Sequence, residues 1–304
     1  MSEFIQERKL PLWKTVGEVL GSSVGNFLRF ISIVWFPLLI LTGMSLGSIV
    51  LLSDYLPKLT AMMTDPEGIL QLVLVGLGLI IFQMLISSMI CVVWSRRVLL
   101  DEKTRGFIYF KIGKLEVSYL LYSFLIMAFI MVIATVTGGV GGGIIGGTAG
   151  GDSSQVGIVL ASGIGLVGFF FMMFVGLRST LALPAVTVSQ SSPMRSSWAI
   201  TRGNCWRIFW GVFILGVVYL ILLQIASSIA GVWGVGGEAQ GLEMAKILQG
   251  QPADLNTLLI YQGISFLVST YFMMLITSFL AVSYRHLSGG LHADAEQVFG
   301  DGEV

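Results

Sequence analysis

Hydrophobic residues run through most of this chain in six long windows from which charged side chains are almost absent. The windows cover about residues 30–53, 69–95, 117–137, 156–177, 208–233 and 258–284. Each reaches the roughly 20 residues that a helix needs to cross about 30 Å of hydrocarbon, where a helix satisfies its own backbone hydrogen bonds. The pattern therefore predicts an all-α polytopic membrane protein with six transmembrane helices.

Short amphipathic or aromatic segments precede the odd-numbered windows, which begin near residues 27, 116 and 206, at intervals of about 90 residues. Before the fifth window, Ser192 and Pro193 predict the start of a short helix. The fixed interval predicts three pseudo-repeats, each a cytoplasmic-side amphipathic elbow helix followed by a transmembrane hairpin. The predicted organisation is one membrane domain (1–290) with pseudo-repeats at about 10–97, 98–180 and 184–287, and a flexible acidic tail (291–304).

Similar residues introduce two of the windows, as SVGNFLRF at 23–30 and TRGNCWRIFW at 201–210. Each places Gly-Asn and then an arginine just before the apolar run. We expect Gly-Asn to loosen the turn from a surface helix into a span, with Arg29 and Arg207 marking the membrane boundary.

Composition and charge agree with a membrane protein. The 304 residues are 55% hydrophobic and 11% charged, against roughly 25% charged in soluble domains. All of the 17 lysines and arginines except Lys58 and Lys246 lie on one side of the predicted spans. Because short cytoplasmic loops are enriched in basic residues, this asymmetry predicts a multi-pass membrane protein with both termini in the cytoplasm.

Arginines and tryptophans near the predicted span ends are the candidate anchors, because such side chains reach the headgroup region from an apolar segment. The predicted lipid and interface anchors are Trp13, Arg29, Arg96, Arg97, Arg178, Trp198, Arg202, Trp206, Arg207 and Arg285. They indicate membrane lipid as a partner, and basic groups near the surface favour anionic lipid.

The polar side chains that we single out at membrane depth are Gln83 and Gln224, which are predicted to form hydrogen bonds between helices. No charged residue lies near the middle of a window, which argues against a proton-coupled transporter or a pump. The two cysteines, Cys91 and Cys205, lack the short Cys-x₂₋₄-Cys spacing of the usual Cys/His zinc site. We expect no metal, no cofactor and no catalytic residue.

Glycine is concentrated between Gly138 and Gly151, in the segment TVTGGVGGGIIGGTAGGDSS at 135–154. The segment lacks the Lys-Ser/Thr of a phosphate-binding loop, so we expect a turn between the third and fourth spans. Small residues then follow at helical spacing, as Gly157, Ala161 and Gly165, with Gly168 one turn further. This row predicts close packing of helices in lipid.

The run LPAVTVSQSSPMRSSWAITRGNCWRIFWGVFIL at 183–215 carries Pro, Ser-Trp and Thr-Arg-Gly-x-x-Trp-Arg in order. It resembles bacterial six-span membrane proteins related to the membrane domain attached to some glycerophosphodiester phosphodiesterases. FKIGKLE at 110–116 resembles the middle elbow of alphaproteobacterial members. The resemblance implies architecture alone, because the phosphodiesterase catalytic domain has no counterpart in this sequence.

Three classes of function follow from these observations. The first is a non-enzymatic integral protein of the bacterial inner membrane that acts through helix packing and through contacts with lipid, other membrane proteins or itself, with no nucleic-acid partner. The alternative is a transporter or channel for a lipid or small apolar solute, which internal repeats would suit. An intramembrane enzyme holding a phosphate headgroup on Arg96, Arg97, Arg178 and Arg285 would also need a nucleophile and a base, which the sequence does not offer.

Overall fold

The computed structural model describes residues 9–62, 66–101, 112–148, 154–190, 192–248, 251 and 254–288, and these ranges are helical with short turns. They contain no strand. The helices within them are α1 (Leu12–Met62), α2 (Pro66–Leu100), α3 (Lys114–Thr148), α4 (Ser154–Thr180), α5 (Ala182–Thr187), α6 (Pro193–Ile200), α7 (Cys205–Val232), α8 (Gly237–Leu248) and α9 (Leu255–Ser288).

Six segments of the described residues are long and apolar enough to cross a membrane: five lie within α1, α2, α3, α7 and α9, and one runs from α4 through α5. The segments are Leu12–Gly47, Glu67–Leu100, Lys114–Val140, Val159–Thr187, Cys205–Val232 and Leu255–Ser288. They overlap the six predicted windows in order. The structure therefore confirms the prediction of an all-α chain with six helices suited to a bilayer.

The first predicted elbow is not a separate helix. Helix α1 continues through Gly25 and Asn26 without a break, so the expected turn into the first span is absent. A helix that keeps its ladder of backbone hydrogen bonds leaves no peptide group unpaired, which outweighs the modest cost of a glycine in its interior. The middle elbow falls largely on residues 102–111, and the acidic tail on 291–304, both outside the described residues.

The glycine-rich segment also differs from the prediction. Helix α3 extends to Thr148 and α4 begins at Ser154, so Gly138 to Gly147 are helical instead of forming a turn. In an apolar environment an open turn would leave backbone groups without partners, so the helix persists despite the low helix propensity of glycine. Residues 149–153 lie outside the described part of the chain.

The chain divides into two compact units, which we describe separately. Unit 1 comprises Met1–Leu12, Val117–Phe209 and Leu280–Val304, and unit 2 comprises Trp13–Glu116 and Trp210–Phe279. Unit 1 therefore contains most of α3, all of α4, α5 and α6, and the first residues of α7 and last residues of α9, whereas unit 2 contains α2, α8 and most of α1, α7 and α9.

In unit 2, neutral polar side chains join helices that are distant in sequence. Trp94 Nε1 donates a hydrogen bond to Ser278 Oγ over 2.7 Å, and the Trp94 ring meets Phe30 edge-on with centroids 5.0 Å apart. Gln262 Nε2 donates to Ser45 Oγ, also over 2.7 Å. These bonds link α9 to α2 and to α1, and they satisfy polar groups that hydrocarbon would leave without a partner.

In unit 1, α4 packs closely on α3 at Gly168. A Cβ atom at this position would lie 2.7 Å from Thr137 Cβ, so only glycine fits. Ala161 is also buried, whereas a Cβ at Gly165 would meet open space. The predicted row of small residues therefore packs through Ala161 and Gly168, and its Gly165 member does not take part.

Helix α8 forms in the connection between α7 and α9. Glu243 accepts hydrogen bonds from Lys246 Nζ and from the Asp254 backbone N–H, each over 2.6 Å. Asp254 caps α9 by accepting from the Asn256 N–H and the Thr257 hydroxyl. Hydrogen bonds to the charged form lower the pKa of Glu243, chiefly from Lys246, and the pKa of Asp254, chiefly from Thr257.

The contact at Gly168 predicts a substitution effect with a matched control. Gly168→Ala should destabilise the protein by about 1–3 kcal/mol, because the added methyl overlaps Thr137 and α3 and α4 must separate. Gly165→Ala, three residues earlier on the same helix, should be neutral or stabilising by up to about 1 kcal/mol. Thermal unfolding of the two purified variants in one detergent measures the difference, and equal midpoints would contradict the packing described for Gly168.

The carboxylates of Glu243 on α8 and of Asp254 before α9 predict that local stability at the start of α9 depends on pH. Because folding lowers both pKa values, their stabilisation is complete above the unfolded-state values and is lost as pH falls through the folded-state values, below about pH 4. Hydrogen exchange at residues 254–258, corrected for intrinsic rates, should therefore accelerate as the pH drops in that range. The double variant Glu243→Gln and Asp254→Asn should lose this dependence, whereas Glu238→Gln, on the exposed start of α8, should keep it.

Candidate functional site

Four of the ten predicted anchors come together in unit 1, where the end of α4, α5, α6 and the first turn of α7 follow one another. Helix α6 begins at Pro193 with Ser192 at the N-cap position, as expected, although the Ser192 side chain makes no capping bond. A turn at 201–204 then leads into α7. Gly203 in this turn has φ +74°, a conformation that favours glycine, so here the Gly-Asn pair does form a turn.

The N-terminal segment is held by the residues of this turn. Asn204 Oδ1 accepts a hydrogen bond from the Leu10 N–H over 2.9 Å, and Arg207 Nη1 donates to the Leu10 carbonyl over 2.8 Å. Leu10 is fully buried, so both of its backbone groups need a partner within the protein. Arg207, predicted as a membrane-boundary residue, therefore also binds the N-terminal segment at Leu10.

Arg178 lies near the C-terminal end of α4 between two aromatic rings. Its guanidinium carbon is 5.0 Å from the Phe174 ring centroid and 5.1 Å from the Trp198 ring centroid. The Ser197 hydroxyl donates to the Arg178 carbonyl, which ties α6 to the end of α4. Two cation–π contacts thus hold the guanidinium group beside aromatic rings from α4 and α6.

Two apolar grooves flank this cation. The first groove has a volume of about 390 Å³ and is lined by Phe170, Phe171, Met173, Phe174, Leu177, Cys205, Trp206 and Phe209. The second groove has a volume of about 470 Å³ and is lined by Leu125, Ile126, Ala128, Phe129, Ile130, Val132, Val175, Gly176, Ser179, Met194 and Trp198. Phe174 belongs to the first and Trp198 to the second, so the two rings that contact Arg178 each border one groove.

This arrangement suits an amphiphile that carries an anionic group. A guanidinium edge can bind a phosphate or carboxylate through two parallel hydrogen bonds. The neighbouring grooves offer hydrocarbon and aromatic surface and have the size of typical small-molecule sites, about 300–1,000 Å³. The site can therefore bind a charged head and apolar chains at the same time.

The predicted anchors are distributed over both units. Arg178, Trp198, Trp206 and Arg207 belong to the site just described, and Arg202 is exposed in the adjoining turn. Arg285 lies half-buried near the end of α9, also in unit 1. In unit 2, Trp13 and Arg29 are exposed on α1, and Arg96 and Arg97 are half-buried near the end of α2.

The two predicted polar intramembrane residues are exposed. Gln83 lies at the middle of the apolar segment of α2 and Gln224 lies in α7, and neither side chain hydrogen-bonds to another described residue. The glutamine that does link two helices is Gln262, through Ser45. Within the described residues, the structure therefore does not support the predicted hydrogen bonds of Gln83 and Gln224 between helices of one chain.

Sequence reasoning did not single out Phe174 or Leu10, and it gave Asn204 a role in the turn alone. The aromatic run GFFFMMF at 168–174 was a usable signal, because Phe174 precedes Arg178 by four residues, the spacing that brings two side chains together on a helix. No local pattern indicates that Asn204 binds Leu10, since the two residues are 194 positions apart.

The fold and the site together define a class: a helical protein with six segments suited to a membrane and a cation held between aromatic rings at the end of one of them. Comparison with models of protein families, with curated proteins and with solved structures finds no match. The resemblance to the membrane domain of glycerophosphodiester phosphodiesterases stays a prediction.

The hydrogen bonds to Leu10 predict a local effect of substitution in the turn. Asn204→Ala should leave the buried Leu10 N–H without its acceptor at a cost of about 1–3 kcal/mol, and hydrogen exchange at Leu10 should accelerate roughly tenfold or more. The measurement is exchange at residues 9–12 in the full chain, with the exposed Arg202→Ala as control. Unchanged exchange in Asn204→Ala would show that the contact does not order the N-terminal segment.

Proposed function

We propose that this protein is a non-enzymatic integral protein of the bacterial inner membrane that acts through helix packing and through contacts with lipid, other membrane proteins or further copies of itself. Six helices able to span a membrane support the location. The distribution of basic residues supports cytoplasmic termini and an arrangement of three hairpins. Helix α6 and its turn are the best-supported elbow, since they form a distinct element before α7.

The observation that carries the proposal is the exposed apolar surface of the spans. Large hydrophobic side chains are exposed along α2, α4 and α7, including Val73, Val75, Phe169, Leu220 and Ile221. In water each square ångström of such surface costs about 25 cal/mol, whereas lipid tails solvate it at little cost. A chain with this surface meets lipid or another membrane protein over most of its length.

The exposed glutamines support protein contacts in addition to lipid contacts. An amide that faces hydrocarbon without a partner costs several kcal/mol, and at mid-span no water replaces the missing hydrogen bonds. Gln83 would recover them from a polar side chain of a partner or of a second copy, since an amide is both donor and acceptor. Transport of a lipid or small apolar solute is kept as the alternative.

The proposal is tested by extracting the full chain from bacterial inner membranes in polymer-bounded lipid discs. We expect a reproducible enrichment of a lipid, a membrane protein or a second copy over the bulk membrane. Gln83→Leu should lower co-extracted protein several-fold, because its amide no longer supplies the mid-span hydrogen bonds, while Gln251→Leu, exposed outside the spans, should not. A monomer surrounded by lipid of bulk composition, with no partner, would overturn the proposal.

A further inference from the structure

We propose that unit 1 binds a diacyl phospholipid, with the lipid phosphate on the Arg178 guanidinium and one acyl chain in each of the two flanking grooves. This inference rests on the proposed function, because it requires the chain to lie in a membrane, and it names the class of lipid that the protein holds. It concerns one location in unit 1, at the end of α4.

The first argument is the charge of Arg178. No carboxylate among the described residues forms an ion pair with it, and its Nε is buried without a hydrogen-bond partner there. A cation that is partly removed from water needs an anion or several acceptors to offset the loss of hydration. Phe174 and Trp198 contact the cation through their rings, which offer no oxygen acceptor, so its N–H groups still need an acceptor such as a phosphate bound in bidentate geometry.

The second argument is the shape and composition of the walls. Phe170 precedes Arg178 by eight residues, so the first groove reaches about 12 Å along α4 from the cation. Its lining is carbon apart from the sulfur atoms of Met173 and Cys205 and the Trp206 indole nitrogen. A free phosphate ion would contact only the charged end and leave this surface uncovered. A hydrocarbon chain attached to the phosphate covers it, which favours a lipid over a soluble anion.

The third argument is the presence of two grooves with the cation between them. Phe170 and Phe174 lie on one face of α4, whereas Val175 and Ser179 of the second groove lie on another, by the 100° rotation per residue of a helix. Arg178 projects between these faces, with one neighbouring ring belonging to each groove. A lipid with two acyl chains matches this geometry better than a lipid with one.

The experiment uses Cys205, which lines the first groove close enough to Arg178 to be influenced by its charge, as a reporter. In the full chain carrying Cys91→Ser, purified in mild detergent, alkylation of Cys205 by N-ethylmaleimide is followed with added phosphatidylglycerol, diacylglycerol, lysophosphatidylglycerol or inorganic phosphate. We expect phosphatidylglycerol to slow alkylation at least fivefold, the lysolipid to act more weakly, and diacylglycerol and inorganic phosphate to have little effect.

Substitutions separate the cation from general stability. Arg178→Gln should abolish protection by phosphatidylglycerol, Arg178→Lys should retain part of it because the charge remains without the bidentate edge, and Arg202→Gln should leave it unchanged. Thermal unfolding of each variant without lipid checks the fold, and Arg178→Lys carries the test if Arg178→Gln does not fold.

Equal protection by diacylglycerol, displacement of the lipid by inorganic phosphate, or equal loss in Arg178→Gln and Arg202→Gln would each overturn the proposed lipid site. If lipid discs still show an enriched lipid or protein partner that does not depend on Arg178, this inference fails and the proposed function stands. If the protein is not extracted with the inner membrane at all, both fail.

Discussion

An apolar environment offers no hydrogen-bond partner to a peptide group, and this constraint accounts for where the described helices continue and where they end. Helix α1 continues through Gly25 and Asn26, and α3 through the glycines from Gly138 to Gly147, although these residues favour turns in water. The turn between α6 and α7 forms where its polar groups find hydrogen-bond partners within the protein. There the Asn204 N–H donates to the Thr201 carbonyl, and its side chain binds the Leu10 N–H.

The same constraint governs the side chains. Within unit 2, tertiary bonds pair neutral groups, such as the Trp94 indole with Ser278 and Gln262 with Ser45, which avoids the cost of burying a charge. Gln83 has no such partner among the described residues and lies where water does not reach in a bilayer. An internal pair adds to the stability of one chain, whereas the exposed Gln83 amide is left for the contacts that the proposed function assigns to it.

Composition was sufficient to predict the six helices and their order, because the length of an apolar run is a property of the local sequence. The start of α6 at Pro193 was also predictable, since proline suits the first position of a helix. The tertiary contacts were not predictable. Gly168, and not Gly165, meets α3 because Thr137 lies opposite it. Gly203-Asn204 forms a turn where Asn204 binds Leu10, which is 194 positions away in sequence. The arginines and tryptophans of the candidate site were predictable from the sequence. The contacts of Arg178 with the Phe174 and Trp198 rings were not.

Contacts of the residues from Ser197 to Arg207 connect the N-terminal segment to the Arg178 site. Ser197 binds the Arg178 carbonyl and Trp198 covers the guanidinium, so both depend on the position of α6. That position is set by the turn at Gly203, and Asn204 and Arg207 attach the turn to the Leu10 backbone. A displacement of Leu10 would therefore reach Arg178 through a short path of hydrogen bonds and one helix. A physical explanation thus exists for the motif of Ser-Trp followed by Thr-Arg-Gly-Asn-x-Trp-Arg. Its residues position the Trp198 ring beside the Arg178 cation at the end of an apolar helix.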